Sequence, residues 1–275
     1  LGDVNSDSYA DIYVGAPKAD NALSGLVDTG SVSVYSGQNL AVLNIFYGGS
    51  AKAYAGASVA AGDINNDGNL DVIVGAPNES NTGSVTVYSI SGNILLQKSG
   101  TSTKSQFGKS VASGDVNRDN YADVIVGAPL DDADSKLKDT GSITVISGAN
   151  GSILTKIFGT SAKSSLGYSV SSGDVNGDGY ADVIGGAWKD DKPSSPKAIK
   201  DTGSVTVWSG ADYSVLDKLY GDTAKDYFGS AVGSGDINSD GYADIIIGIL
   251  GYDVPGIKKP IQSAGMVTVI GGGAF

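Results

Sequence analysis

An acidic loop of one pattern occurs five times along the chain. The loops begin at Gly2, Gly62, Gly114, Gly173 and Gly235. Counted from the residue after the glycine, each carries Asp at position 1, Asn at position 3 and Asp at positions 5 and 9. Oxygen donors at this spacing suit a hard cation, and calcium takes about six to eight such ligands. The repeated pattern therefore predicts five Ca²⁺ sites.

The candidate ligands are the side chains at positions 1, 3, 5 and 9 and the backbone carbonyl at position 7. They are Asp3, Asn5, Asp7, Tyr9, Asp11, Asp63, Asn65, Asp67, Asn69, Asp71, Asp115, Asn117, Asp119, Tyr121, Asp123, Asp174, Asn176, Asp178, Tyr180, Asp182, Asp236, Asn238, Asp240, Tyr242 and Asp244. Position 6 favours left-handed backbone, which suits Gly68, Gly179 and Gly241. Asn120 is acceptable there, and Ser8 fits least well, so the first site is the weakest.

Two other interpretations of these loops fit less well. Asn/Asp/Gly clusters also form ordinary hairpin turns, but a turn does not require three carboxylates within nine residues. A helix–loop–helix calcium hand needs a bidentate Glu at position 12 and flanking helices. Here position 9 continues directly into apolar runs such as 71–74, which are typical of strands.

Composition excludes several classes of protein. The chain has no His and no Cys, which excludes disulfides, His/Cys zinc sites and Ser-His-Asp or Cys-His catalysis. The net charge of −12 argues against nucleic acid or an anionic membrane as partner. No apolar run approaches the ~20 residues of a membrane span. Calcium loops of modest affinity fill where calcium is abundant, so we expect an extracellular, secreted or cell-surface protein.

The spacing of the loops predicts the fold. Their first aspartates recur every 52 to 62 residues, which is typical of propellers and solenoids. In the third unit we expect strands at 110–113, 123–126, 142–147 and 153–158. Four strands per unit without helical periodicity favour an all-β propeller of about five four-stranded blades.

A second pair of motifs flanks the loops. An aromatic or apolar residue followed by Gly lies seven residues before each complete loop, and Gly-Ala-Pro follows three of the loops. The pairs are Ala55-Gly56, Phe107-Gly108, Leu166-Gly167 and Phe228-Gly229, and the triplets lie at 15–17, 75–77 and 127–129. This combination resembles the FG-GAP repeat of integrin alpha subunits and of bacterial surface and secreted proteins. The triplet is Gly-Ala-Trp at 186–188 in the fourth unit and Gly-Ile-Leu at 248–250 in the fifth. We expect these departures from Gly-Ala-Pro to affect the turn geometry of the two units more than their metal sites.

The resemblance implies a calcium-stabilised propeller over 1–275, with units beginning near residues 1, 54, 106, 165 and 227. It also implies that the cation loops join the first and second strands of each blade, and that ligands bind on the opposite face. The segments that vary in length join the second and third strands, and they lie at 18–29, 78–82, 130–140, 189–202 and 251–264. Variable loops on a rigid scaffold commonly carry recognition.

Lysines and aromatic residues supply candidate ligand contacts. Each of four lysines lies four residues before the Gly of an FG-like pair, so we expect them around one mouth of the propeller: Lys52, Lys104, Lys163 and Lys225. The favoured interpretation is that each pairs with neighbouring loop carboxylates, and an anion-binding ring is the alternative.

Trp188 and Tyr252 are the main aromatic candidates in the variable loops, whereas Trp208 occupies a strand position and is expected in the core or in a groove. Segments 131–134 and 190–191 are interpreted as solvated acidic loops, with additional cation binding as the alternative.

Two functions remain open. The first is an extracellular binding module that docks a protein or glycan at the face opposite the calcium loops. The second is a polysaccharide lyase or glycosidase that uses paired carboxylates, and a spacer beside a catalytic domain is a further alternative. No carboxylate pair departs from the repeat pattern, which favours a binding module over an enzyme.

The unit lengths also predict an open seam. The segment from Gly265 through Phe275 and back to Gly2 is about twenty residues shorter than the corresponding internal segments. An unpaired strand position leaves backbone groups and sheet edges exposed. We therefore expect five units of a larger ring of six to eight blades, or completion of the seam by another chain or segment.

Overall fold

The computed structural model describes residues 2–253 and 263–273 and consists of antiparallel β-strands joined by turns. The strands are β1 (Ile12–Ala16), β2 (Ser31–Tyr35), β3 (Val42–Tyr47), β4 (Ser58–Gly62), β5 (Asp71–Ala76), β6 (Ser84–Tyr88), β7 (Ile94–Ser99), β8 (Ser110–Gly114), β9 (Asp123–Ala128), β10 (Ser142–Ile146), β11 (Ile153–Phe158), β12 (Leu166–Gly173), β13 (Asp182–Ala187), β14 (Ser204–Trp208), β15 (Val215–Tyr220), β16 (Phe228–Gly235), β17 (Asp244–Ile249) and β18 (Met266–Ile270). One turn of 3₁₀ helix spans Glu79–Asn81. The described residues contain no helix long and apolar enough to cross a membrane.

The strands form five separate sheets, which we call blades 1 to 5. Blades 2, 3 and 4 are four-stranded meanders built from β4–β7, β8–β11 and β12–β15. Blade 1 contains β1–β3 and blade 5 contains β16–β18, so each has three strands among the described residues. The all-β prediction is confirmed, and the four strands expected in the third unit coincide with β8–β11 within two residues at each end.

The first strands of the blades lie next to one another. β4 contacts β8, β8 contacts β12, and β12 contacts β16, so these strands are the innermost of their blades. Successive four-stranded sheets stacked through their inner strands are the arrangement of a propeller. The described strands therefore form a β-propeller of five blades, as expected.

The hydrophobic core consists of four layers, each lying between two consecutive blades. Successive side chains of a strand point to opposite faces of its sheet. In β5, Val72 and Val74 pack against blade 1, whereas Ile73 packs against blade 3. Both faces of each internal blade are buried, which explains why the middle strands are continuous apolar runs.

The two glycine motifs meet at the blade interfaces. A Cβ at Gly127, in the Gly-Ala-Pro triplet of blade 3, would lie 2.0 Å from the carbonyl oxygen of Gly167, in the FG-like pair of blade 4. Gly167 itself has a φ of 79°, which few residues with a side chain adopt. The same approach occurs at Gly15–Gly56, Gly75–Gly108 and Gly186–Gly229. The motifs thus allow neighbouring blade backbones to touch.

The outer faces of blades 1 and 5 differ from the internal interfaces. On β1, Ile12 and Val14 are 37% and 44% exposed, although their repeat equivalents on β5 are buried. On β18, Val267 and Val269 are 66% and 50% exposed, although their equivalents on β14 are fully buried. Blades 1 and 5 make no extensive contact through the described residues. The expected completion of the ring stays a prediction.

Candidate functional site

The meander places two kinds of connection on opposite ends of the blades. The acidic face carries the five predicted calcium loops at 3–11, 63–71, 115–123, 174–182 and 236–244, each leading into the second strand of a blade. The distal face carries the connections between second and third strands and the connectors from one blade to the next. The variable loop at 251–264 lies partly outside the described residues.

Each acidic loop is organised by its own side chains. In the fourth loop, Asp174 accepts hydrogen bonds from the amides of Asp178 at 3.1 Å and Gly179 at 2.9 Å. Asp178 accepts from the amide of Tyr180 at 2.9 Å, and Asn176 Nδ2 donates to Asp178 Oδ2 at 3.0 Å. The other four loops repeat these bonds.

The backbone of the loops agrees with the sequence prediction at position 6. The φ angle there ranges from 70° at Ser8 to 90° at Gly241, so all five loops are left-handed at this position. Position 4 is also left-handed, with φ of 59° at Ser6 and 58° at Arg118, which the sequence pattern did not indicate. Ser8 adopts the same backbone as its glycine equivalents, at a steric cost that glycine does not have.

The aspartates at position 9 have a different environment from the others. Asp182 is fully buried, its Oδ2 accepts from the amide of Val175 at 2.9 Å, and its Oδ1 accepts from the amide of Gly210 at 3.0 Å. The bond to the position 2 amide recurs in all five loops, and the bond to the hairpin glycine recurs in four of them. Position 9 therefore fastens four of the five loops to the turn that follows the third strand of the blade or its equivalent.

Two of these buried carboxylates have a raised pKa. Burial raises the pKa of Asp71 to about 6, with a smaller contribution from the neighbouring carboxylates of Asp67 and Asp63. Burial likewise raises the pKa of Asp123 to about 6. In both loops a nearby cation would favour the charged form.

The loop residues fit calcium by their chemistry. Within residues 2–253 and 263–273, no group of three or more carboxylates is already arranged around one point as a metal site. A carboxylate oxygen has two lone pairs, however, so an oxygen that accepts one hydrogen bond keeps a lone pair for a cation. Each loop offers only oxygen donors, from three Asp, one Asn and a backbone carbonyl, and this donor set suits a hard divalent ion.

On the distal face, the repeated lysines lie around adjoining hollows. Lys52 and Lys104 line one hollow of about 390 Å³, and Lys163 lines the next, of about 340 Å³, together with Lys189. Leu130 borders both hollows. Lys225 is exposed on the connector from blade 4 to blade 5. None of the four repeated lysines forms an ion pair with a carboxylate of the described chain, contrary to the favoured interpretation.

The aromatic candidates are only partly brought together. Trp188 lies between Tyr168 and Tyr227, with ring centroids 4.7 Å and 5.2 Å away, and neither tyrosine was indicated by the sequence pattern. Tyr252 instead packs against the core layer between blades 4 and 5. Trp208 is 7% exposed, which confirms its expected place in the core.

The acidic segments of the variable loops contain two buried ion pairs. Asp131 is 2% exposed and lies 2.7 Å from Lys156 Nζ, and Asp190 is 2% exposed and lies 2.9 Å from Lys218 Nζ. Each carboxylate also accepts a hydrogen bond from a buried serine hydroxyl. The interpretation of these two aspartates as solvated was wrong, because a lysine on the outermost strand of the same blade reaches each of them.

Comparisons with known proteins agree with this architecture. Integrin alpha-V of Gallus gallus is 29% identical over 211 residues, covering 73% of this chain and 20% of that protein. Integrin alpha-5 of Xenopus laevis is 31% identical over 212 residues, covering 68% and 19%. Integrin alpha pat-2 of Caenorhabditis briggsae is 28% identical over 243 residues, covering 76% and 19%. The chain spans about a fifth of the length of these relatives.

Among solved structures, the computationally designed Ika8 protein has 16% identity and a TM-score of 0.48, over 89% of this chain and 53% of that one. The FG-GAP repeat family matches residues 1–35, 55–88, 107–146, 166–208 and 228–270. These segments include every acidic loop and most strands described above. The chain therefore belongs to the FG-GAP repeat family.

Proposed function

We propose that this chain is an extracellular, calcium-stabilised, integrin-like propeller that binds a protein or glycan ligand through its distal face. The observation that carries the proposal is the contrast between the two faces. The acidic face repeats one loop structure five times, whereas the distal loops differ from blade to blade in length and in side chains. A constant face combined with a variable one is typical of a scaffold that presents recognition loops.

Charge supports the calcium part of the proposal. The five loops contribute fifteen aspartates to a chain whose net charge is −12. Like charges at this density oppose the compact state, and about ten positive charges from five bound Ca²⁺ ions would largely neutralise the protein. Extracellular calcium modules bind with affinities of about 0.1 to 1 mM, which suits a protein outside the cell.

Thermal unfolding in calcium and in chelator tests the metal part. A site with an affinity near 0.1 mM in about 1 mM calcium gains ~1.4 kcal/mol, so five independent sites together give ~7 kcal/mol. We expect a large fall in Tm when excess chelator is added, and titration calorimetry should show about five ions per chain. An unchanged Tm would overturn the assignment of these loops to calcium.

An array of matrix proteins and glycans, probed with the calcium-loaded chain, tests the binding part. We expect binding that is reduced by substitutions in the distal loops and retained when exposed residues of the acidic face are changed. Arg118 and Leu40 are exposed residues of the acidic face that are not candidate calcium ligands, and substitutions there serve as that control. Binding that depended on the acidic face instead would contradict the proposal.

A further inference from the structure

We propose that the ligand of the distal face is an acidic polysaccharide, whose carboxylate or sulfate groups bind the lysines around the two adjoining hollows. This inference rests on the proposed function, since it names the ligand class of the same face. The lysines concerned are Lys52 and Lys104 in the first hollow and Lys163 and Lys189 in the second. The hollows adjoin at Leu130, so together they form one extended surface across several blades.

None of these lysines forms an ion pair within the described chain. Other lysines of the distal face have partners: Lys138 pairs with Asp132 at 2.6 Å, and Lys192 pairs with Asp222 at 3.0 Å. The lysines of the hollows form no such pair with a described carboxylate, although the protein is strongly acidic. A local cluster of unpaired cations on an anionic protein favours an anionic ligand, because complementary charge gives specificity and speeds encounter.

The backbone holds the repeated lysines in an unusual conformation. The φ angles of Lys52, Lys104 and Lys163 are 61°, 64° and 66°, which is the left-handed region that normally favours Gly or Asn. The amide of Lys104 donates to the carbonyl of Asn81 at 2.6 Å, and the amide of Lys163 donates to the carbonyl of Lys138 at 2.8 Å. Each connector is thus tied to a distal loop of the preceding blade while its lysine side chain stays exposed. The same backbone conformation in three successive connectors holds these lysines at equivalent positions on the distal face.

Neutral polar groups in the hollows favour a saccharide over an acidic peptide. The first hollow is lined by the amide side chains of Asn78, Asn81 and Gln106 beside its two lysines. Amides donate and accept hydrogen bonds, which matches sugar hydroxyl groups lying between the charged groups of a polysaccharide. The second hollow also contains Asp139 and Asp201, whose carboxylates can accept hydrogen bonds from sugar hydroxyl groups.

An aromatic cluster beside the second hollow holds Lys189 and one further cation, Lys109. Lys189 Nζ lies 4.5 Å from the centre of the Trp188 ring, and Lys109 Nζ lies 5.4 Å from that of Tyr168. Both distances are within the range of cation–π attraction. Trp188 replaces the Pro of the Gly-Ala-Pro triplets, so the cluster is specific to blade 4 and its neighbours. This departure from the repeat lies on the same surface as the unpaired lysines.

Calorimetry with short oligosaccharides of hyaluronan and heparin tests the inference, using the calcium-loaded chain. The two probes distinguish carboxylate from sulfate as the bound group, and a neutral dextran fragment and polyglutamate serve as controls. We expect binding of at least one acidic oligosaccharide, weakened by added salt. The double variant Lys52→Gln/Lys104→Gln should bind about tenfold or more weakly, because each lysine supplies a charge-assisted hydrogen bond.

The matched control is Lys138→Gln/Lys200→Gln, which removes the same charge from two exposed lysines of the distal face that already have Asp partners. Its affinity should stay within about twofold of the unsubstituted chain, since exposed pairs contribute little. Equal losses in the two double variants would overturn the inference, as would stronger binding of polyglutamate or no binding of either acidic oligosaccharide. If the array then shows another ligand on the distal face, the proposed function stands and only the ligand class fails.

Discussion

Single aspartates in one loop have separate structural tasks. Those at positions 1 and 5, together with the asparagine at position 3, organise the exposed part of the loop, whereas the aspartate at position 9 is buried beneath it. Asp178 and Asp182 are therefore expected to respond differently to substitution, although both are candidate calcium ligands.

In excess chelator, Asp182→Ala should lower the free energy of unfolding by about 2 kcal/mol or more, because it leaves the buried amides of Val175 and Gly210 without acceptors. Asp178→Ala should cost less than about 0.5 kcal/mol in chelator, since Asp178 lies in an exposed part of the loop. With calcium present, each variant should lose one bound ion. Urea unfolding and calorimetry measure these effects, and equal losses in chelator would contradict separate roles.

The buried pair of Asp131 and Lys156 predicts that the stability of the fold falls at acidic pH. Burial by itself would raise the pKa of Asp131, but hydrogen bonds from Lys156, Ser102 and Ser142 and the charge of Lys156 together outweigh it and hold that pKa below the ordinary value of 3.8. A carboxyl whose pKa is lowered by folding stabilises the folded state above its unfolded pKa. That contribution should be lost as pH falls below about 4, through the pKa of the folded state.

The variant Lys156→Met should destabilise the protein by about 3 kcal/mol at neutral pH, because it leaves a buried carboxylate without its cation. Its unfolding free energy should then rise on mild acidification, since burial alone now raises the pKa of Asp131. Lys138→Met is the control, because its partner Asp132 is one-third exposed, and it should change stability by less than about 0.5 kcal/mol. Urea unfolding at several pH values separates the two outcomes.

At the scale of elements, the blade interfaces depend on glycines that touch. Gly127→Ala places a methyl group against the backbone of blade 4, which cannot rotate away as a side chain would. We expect a loss of about 3 kcal/mol of unfolding free energy, the upper range for overpacking. Gly235→Ala is the matched control, because nothing lies within 4 Å of a Cβ there. Comparable Tm values for the two variants would show that the blades are not in close contact at Gly127.

At the scale of the whole molecule, the outer faces of blades 1 and 5 expose apolar side chains that internal blades bury. Contiguous exposed apolar surface and open sheet edges promote association. We expect the 275-residue chain to self-associate at high concentration, with Val267 and Val269 of one copy packing against the Ile12 and Val14 face of another. Because two different surfaces meet, the association would be head to tail.

Sedimentation velocity measures this association. The variant Val267→Lys/Val269→Lys should shift the chain towards monomer. Val42→Lys/Val215→Lys makes the same chemical change at exposed valines that begin outermost strands, and should leave the association unchanged. A monomeric parent chain at all concentrations would contradict the prediction.

The sequence by itself determined the features that depend on local spacing. A fixed period with four apolar runs per unit predicted the blades, and Asp, Asn and Gly at set positions predicted the backbone of the acidic loops. These features follow from strand alternation and from the conformations that single residues allow, which act within a few residues. The glycines of the two motifs are explained only by the stacking of the blades, because each of them lies against a backbone atom of a neighbouring blade.

Some residues occupy equivalent positions in the repeat but lie in different environments, and only the tertiary structure decided which ones do. Val72 and Ile12 occupy the same repeat position, yet the first is buried and the second is 37% exposed, because a neighbouring blade covers only the first. Asp131 meets Lys156 across two strand connections, and Trp188 meets Tyr227 from the next blade. Contacts of this kind depend on how distant segments pack, so residue type and spacing do not specify them.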